Sequence, residues 1–135
     1  MARHERSFEQ AQPVAGRSAR GKVSHLAGLA AEDIVARAYC AAGYDLVAER
    51  WRGHRGEIDL VFSTAIGIVM VEVKASKDFT SALQHLTPTK IARLYATAEE
   101  YVGTLPGGTL TDVRFDVALV DQMGRLDIHE NAFAA

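Results

Sequence analysis

Gly56-Glu57-Ile58-Asp59-Leu60-Val61, followed by Val69-Met70-Val71-Glu72-Val73-Lys74, are the two segments that decide the fold of this chain. Both are apolar runs of strand length that carry charge where a plain core would hold valine or isoleucine. A charge buried without a partner costs several kcal/mol, so Glu57, Asp59, Glu72 and Lys74 call for a ligand or for one another. Strand side chains alternate, which groups Glu57 with Asp59 on the first strand and Glu72 with Lys74 on the second. The Ser63-Thr64-Ala65-Ile66-Gly67 stretch between them suits a short hairpin connection. A turn at Thr64-Ala65 sets Asp59 opposite Met70 and diagonal to Glu72 on the same face, with backbones roughly 7–8 Å apart. A slip of one residue would send the two acids to opposite faces.

This grouping has a use in phosphodiester cleavage. Mg²⁺, with Mn²⁺ as its substitute, takes hard oxygen ligands and needs only one or two carboxylates from a protein. Asp59 and Glu72 supply those, and the Val73 carbonyl is a further ligand. Such a metal lowers the pKa of a bound water and neutralises charge on the scissile phosphate. Lys74 would stand beside the phosphate or the attacking water. The plainer alternative makes Glu72 and Lys74 an ion pair on a solvated sheet face, since a D…ExK pattern is short and weak by itself. The aliphatic company speaks against it: Val69, Val71, Val73, Ile58 and Leu60 form one face, and Ile66, Ile68 and Met70 share the face of the acids.

At 135 residues, 48% hydrophobic and 24% charged, the chain suits one globular domain with a single core. No apolar run approaches a membrane span and no apolar stretch near Met1 resembles a secretory signal, so the expectation is a cytoplasmic protein without membrane association. The single cysteine, Cys40, excludes an internal disulfide and a cysteine zinc cluster, and its place in a helical pattern suggests a small core residue. The histidines lack zinc-ligand spacing. A net charge of −2 does not advertise a nucleic-acid partner, but its distribution is uneven. Arg3, Arg6, Arg17, Arg20 and Lys22 make residues 1–24 a basic, aperiodic arm. Arg50, Arg52 and Arg55 cluster directly ahead of the acidic strand. Basic residues beside an acidic metal site fit a phosphate-backbone substrate, and they equally serve as solubilising charge. Trp51, between two of these arginines, could stack on a base or cover the sheet edge.

From His25 to Ala42, the residues Ala27, Ala30, Ala31, Ile34, Val35, Ala38, Ala41 and Ala42 make one apolar helical face, with Ser24 as N-cap and Gly43 as terminator. Glu32 lies at its margin, either solvated or a further acid reaching the metal. Strands are expected over 46–52, 57–63 and 66–74, then a polar loop over 75–86. A helix opens with Thr87 as cap and Pro88 at its first position and closes at Gly103. Val113–Val120 reads as a buried strand with Val113, Phe115, Val117 and Leu119 on one face, and Leu126–His129 as a last short one. Asp116, mid-strand, is expected to pair with a nearby arginine or lysine rather than join the metal. The outcome is a single α/β domain over residues 25–131, an α-β-β-β-α-β core with a mixed central sheet flanked by helices, and a tail over 132–135.

Taken together, Gly28, Glu32, Gly43-Tyr44, Arg50, Arg52, Gly56 to Leu60, Val71 to Lys74, Lys90, Ala98 and Arg114 to Val117 resemble the YraN-like uncharacterised protein family. That family is assigned to the restriction-endonuclease-like PD-(D/E)xK fold, close to archaeal Holliday-junction resolvases. The resemblance implies that Glu32, Asp59 and Glu72 cooperate around Mg²⁺ while Lys74 assists at the phosphate. It adds Lys90 to Arg50, Arg52 and Arg55 as nucleic-acid-binding candidates. Ile58 stands where the fold's label has proline, which costs little because the metal needs only the carboxylate. The implied function is a metal-dependent endonuclease acting on DNA, including branched or recombination intermediates. The runner-up is a nucleic-acid-binding module that keeps the fold without cleavage, and a third option is a scaffold whose acids are structural. Resolvase-like nucleases act as homodimers; the sequence itself leaves the number of copies open.

Overall fold

The apolar runs around the two charged segments form the middle of a five-stranded sheet. The computed structural model describes residues 17–76 and 78–132. In chain order the elements are α1 (Arg17–Ala41), β1 (Asp45–Arg52), β2 (Glu57–Thr64), β3 (Gly67–Ala75), α2 (Phe79–Gln84), α3 (Pro88–Val102), β4 (Val113–Val120) and β5 (Leu126–His129). A single 3₁₀ turn, Gly108–Leu110, precedes β4. The strands lie side by side in sequence order. Neighbours are antiparallel except β3 and β4, which run parallel across the crossover that contains α2 and α3. The chain is therefore the single α/β domain with a mixed sheet that its pattern predicts.

Each sheet face has its own core. Beneath α1, Ala31, Ile34, Val35 and Tyr39 pack on Leu60, Phe62, Val69, Val71, Ala118 and Val120. Tyr39 stacks on Phe62 with ring centroids 4.6 Å apart. Burying a side chain of that size fully contributes about 1.5–3 kcal/mol. Beneath α3, Ala98, Tyr101 and Val102 pack on Ile58, Val61, Ile68 and Met70. Val113 and Phe115 join this second core, and Val117 and Leu119 pack beside Ala82 on the same side, as the alternation of β4 requires. The start and stop of α3 follow its sequence signals. The Thr87 hydroxyl accepts the Lys90 N–H at 3.2 Å, Pro88 fills the first turn, and the Gly103 N–H closes on the Glu99 carbonyl at 3.0 Å.

Asp116 makes the pairing expected of it. It is fully buried and accepts from Arg114 Nε at 2.9 Å, Arg114 Nη2 at 2.8 Å, the Tyr39 hydroxyl at 2.7 Å and the Asn131 N–H at 3.0 Å. Burial, then the Asp116 hydrogen bond, pushes the Tyr39 hydroxyl well above the usual tyrosine range. This network ties α1, β4 and the segment after β5 together.

Several expectations are corrected. The first helix begins at Arg17 instead of His25, because the Arg, Ala and Lys residues ahead of Ser24 continue it and outweigh the capping signal. The rest of the expected arm, residues 1–16, and the tail residues 133–135 lie outside the described residues. Cys40 is exposed, not a core residue, as are Ala41 and Ala42, because the buried stripe of α1 ends at Tyr39. The 75–86 stretch is not all loop. It holds α2, whose N-terminus is capped where Asp78 Oδ1 accepts the Ser81 N–H at 2.8 Å.

Candidate metal and phosphate site

The β2–β3 turn sets the geometry. Pairing runs from Thr64↔Gly67 to Leu60↔Val71, so the turn residues are Ala65 and Ile66 rather than Thr64-Ala65. The Thr64 hydroxyl explains the choice: it donates to the Gly67 carbonyl at 3.0 Å and accepts the Gly67 N–H at 3.2 Å. At Gly67 the chain also passes so close to β4 that a Cβ would sit 2.5 Å from the Asp112 carbonyl oxygen. Compared with the expected pairing the register slides by two residues, which keeps the faces of the paired residues from Leu60 to Thr64. Asp59 moves from a level with Met70 to a level with Glu72. Ile66, expected among the aliphatic residues of the acids' face, lies at the turn and is 83% exposed.

Beyond Leu60 the ladder stops and the strands fork. Asp59 Oδ2 takes the Val73 N–H at 2.8 Å in place of a backbone carbonyl. A strand residue presents its N–H and C=O along the same edge, so the Val73 carbonyl also faces the fork. The alternation reverses here as well. Leu60 and Phe62 pack beneath α1, whereas Ile58 packs beneath α3, contrary to the expected shared face of Ile58 and Leu60. The neighbouring strand turns with it. Arg50 has a φ of 47°, and Trp51 beyond it meets Tyr101 edge-on at 5.2 Å, which commits that indole to packing. Asp59 thus stands where the two faces of the sheet exchange, within reach of Glu72 and in the electrostatic range of Glu32.

The electrostatics follow from this crowding. Burial, then the charge of Glu72, pushes the Asp59 carboxyl up to about 7, and a hydrogen-bonding contact between the two carboxyls adds to the rise. The Val73 N–H and Lys74 pull the other way. Lys74 Nζ lies 3.1 Å from Glu72 Oε2, with the lysine side chain 26% exposed and the glutamate 16%. Glu32 is raised by burial first and by the charges of Asp59 and Glu57, while the hydrogen bond from Arg50 opposes the rise.

Of the nominated residues, Asp59, Glu72, Val73 and Lys74 come together. Glu32 does not join them directly, because its Oε1 accepts from Arg50 Nη1 at 2.6 Å. Among the described residues no group of three or more Asp, Glu, His or Cys side chains is arranged to hold an ion. Arg52 pairs with Glu57 at 3.0 Å, Arg55 is exposed on the β1–β2 turn, and Lys90 is exposed in the first turn of α3. That β1–β2 turn is clamped to α3, where Glu100 accepts the His54 N–H at 2.8 Å and also contacts its ring. Sequence reasoning missed the Arg50–Glu32 pair and the His54–Glu100 clamp. Both join residues far apart in the chain, and the left-handed backbone of Arg50 leaves no mark in composition or spacing. The donor set that does assemble, two adjacent carboxyls with Lys74 Nζ 3.1 Å from Glu72, is of the hard-oxygen kind that Mg²⁺ takes.

The model of the uncharacterised protein family UPF0102 matches residues 31–120, a span that contains Glu32, Arg50, Asp59, Glu72, Lys74 and Lys90. The chain belongs to UPF0102. It is 52% identical over 116 residues to a UPF0102 protein of Ruegeria pomeroyi, covering 86% of this chain and 94% of that one. It is 50% identical over 114 residues to one from Roseobacter denitrificans, covering 84% and 88%. A third, from Cereibacter sphaeroides, is 49% identical over 115 residues, covering 85% and 98%. Its UPF0102 relatives are thus matched along most of their length. No helix among the described residues is long and apolar enough to cross a membrane.

Proposed function

We propose that this UPF0102 protein is a divalent-metal-dependent nuclease of PD-(D/E)xK type, hydrolysing phosphodiester bonds in DNA, with branched or recombination intermediates as the favoured class. One observation carries the reading: two carboxyls, Asp59 and Glu72, stand within hydrogen-bonding reach at a strand fork, and among the described residues the cation paired with them is Lys74. A purely structural pair would bring a second cation or a donor for each oxygen. Asp59, Glu72 and the Val73 carbonyl would hold Mg²⁺ or Mn²⁺, with Glu32 as the further acid. When bound, the ion supplies charge neutralisation at the phosphate and a water of lowered pKa.

The chain's own residues do the rest. Glu72 holds the Lys74 ammonium beside the fork, where it can donate to a non-bridging phosphate oxygen as negative charge builds there. Arg52, Arg55 and Lys90 orient the backbone, with Arg52 tempered by Glu57. Ile58 and Met70 are buried in the core beneath α3. The setting we infer is cytoplasmic, and two copies would be needed to nick both strands of a junction.

The test is metal-dependent cleavage of a labelled panel (single strand, duplex, flap, four-way junction) beside Asp59→Asn. Cutting that needs Mg²⁺ or Mn²⁺ and is lost in the variant supports the nuclease and names its substrate. A wild type that binds a branched substrate and never cuts it makes the chain a non-catalytic binding module. The Arg50 grip on Glu32, which leaves the free protein one acid short, favours that second reading.

A further inference from the structure

We propose that Arg50 is a substrate-released latch on Glu32: its guanidinium holds that carboxylate in the free protein, and a backbone phosphate that takes the guanidinium over frees Glu32 to join Asp59 and Glu72. The inference rests on the metal-site reading above and extends it to regulation of the same site.

Three observations carry it. Arg50 Nη1 contacts Glu32 Oε1 at 2.6 Å, with the arginine side chain 43% exposed and the glutamate 16%. The guanidinium is therefore reachable from solvent while the carboxylate is mostly covered. A guanidinium also matches a phosphate as well as it matches a carboxylate, so the exchange keeps its hydrogen bonds. Second, Arg50 holds a left-handed backbone, φ 47°, that arginine seldom adopts. The other non-glycine residue of that kind among those described is Asn131, whose type tolerates it. Strain of this sort persists where the surroundings impose it, and here it falls at the fork, beside Asp59. Third, Glu32 lies close enough to feel the charges of Asp59 and Glu57, yet among the described residues it completes no group of three such side chains able to hold an ion. Releasing it would add a third carboxylate only once a phosphate has arrived. The site would then bind its metal tightly with substrate and weakly without.

Two measurements separate the parts. In EDTA and low salt, a fluorescent DNA duplex should bind Glu32→Gln about fivefold more tightly than wild type, because the competing carboxylate is gone, and Arg50→Gly more weakly. Without DNA, calorimetric titration of Mn²⁺ should show Arg50→Gly binding about fivefold more tightly than wild type, with the gain erased in Arg50→Gly/Glu32→Gln. Arg50→Asn is the second variant; like glycine, asparagine accepts the left-handed backbone, so the fold is kept. DNA affinity unchanged in Glu32→Gln, or Mn²⁺ affinity unchanged or weaker in both Arg50 variants, overturns the latch and leaves the metal site standing. Mn²⁺ binding that is absent from wild type, or indifferent to Asp59→Asn, overturns the metal reading and the latch with it.

Discussion

Replacing Asp59 by asparagine should stabilise the folded chain, and the gain should depend on pH. Asn keeps the shape, accepts the Val73 N–H through its carbonyl oxygen, and donates toward Glu72 as a protonated Asp59 would. What it removes is the charge. The Asp59 carboxyl rises from 3.8 to about 7 on folding, chiefly through burial and then through Glu72. A carboxyl raised in the folded state binds protons there more tightly than in the unfolded chain, so stability is fully present below about pH 4 and is lost as pH climbs through about 7. A rise of about three pK units corresponds to ~4 kcal/mol as a ceiling, at ~1.36 kcal/mol per unit. Asp59 is only partly buried, so solvent screening of its charge brings a realistic figure to about 1–3 kcal/mol. For a domain of this size that is a Tm increase on the order of 5–10 °C at pH 8, against little change at pH 4.

The assay is thermal or urea unfolding of wild type and variant across that range, repeated with Mg²⁺. The metal should restore wild-type stability above pH 7 by mass action and leave the variant unmoved. A variant less stable than wild type at pH 8, or a difference that is flat with pH, would mean that Asp59 is a satisfied structural acid. The fork would then hold no ion.

Elsewhere in the chain, Asp116→Ala should cost about 3–5 kcal/mol in urea unfolding, because it leaves the Arg114 guanidinium and the Tyr39 hydroxyl without their buried partner. Thr87→Ala removes the cap of α3 and should cost ~1 kcal/mol, measured the same way. Gly53→Ala puts a Cβ against Glu100 Oε1, so the glutamate must swing away and release His54. Hydrogen exchange should then rise in the β1–β2 turn while the core of β3 and β4 keeps its protection.

The fold was legible because its signals are local and agree with one another. Thr87-Pro88 and Gly103 bracket α3 in the chain and in space, and β4 alternates its side chains with no interruption. The closeness of Asp59 to Glu72 was legible, but not its level along the strands. The hydroxyl of Thr64 moved the turn, and a threonine binding its own hairpin looks in sequence like any other strand threonine. Cys40 and the start of α1 went astray for one reason. Helical periodicity says which residues share a side, but not how far a helix runs past the sheet that it covers. What spacing could not reach was the reversal at Arg50 and Asp59, where the backbone departs from the strand geometry on which period-two reasoning depends.

Asp59 and Asp116 show why that reversal matters for function. Both are acids in the interior of the sheet, and a count of donors separates them. A carboxylate offers about four acceptor sites. Asp116 has them filled by Arg114, Tyr39 and Asn131, and such a group is finished. Asp59 has the Val73 N–H and a second acid for company. An uninterrupted strand would have paired Val73 with backbone and buried Asp59 on one face, where folding could hardly have tolerated it. The fork instead leaves Asp59 beside the Val73 N–H and Glu72, where the proposed metal would take its remaining acceptor sites. That difference in donors is what supports the proposed binding role of Asp59 over a purely structural one.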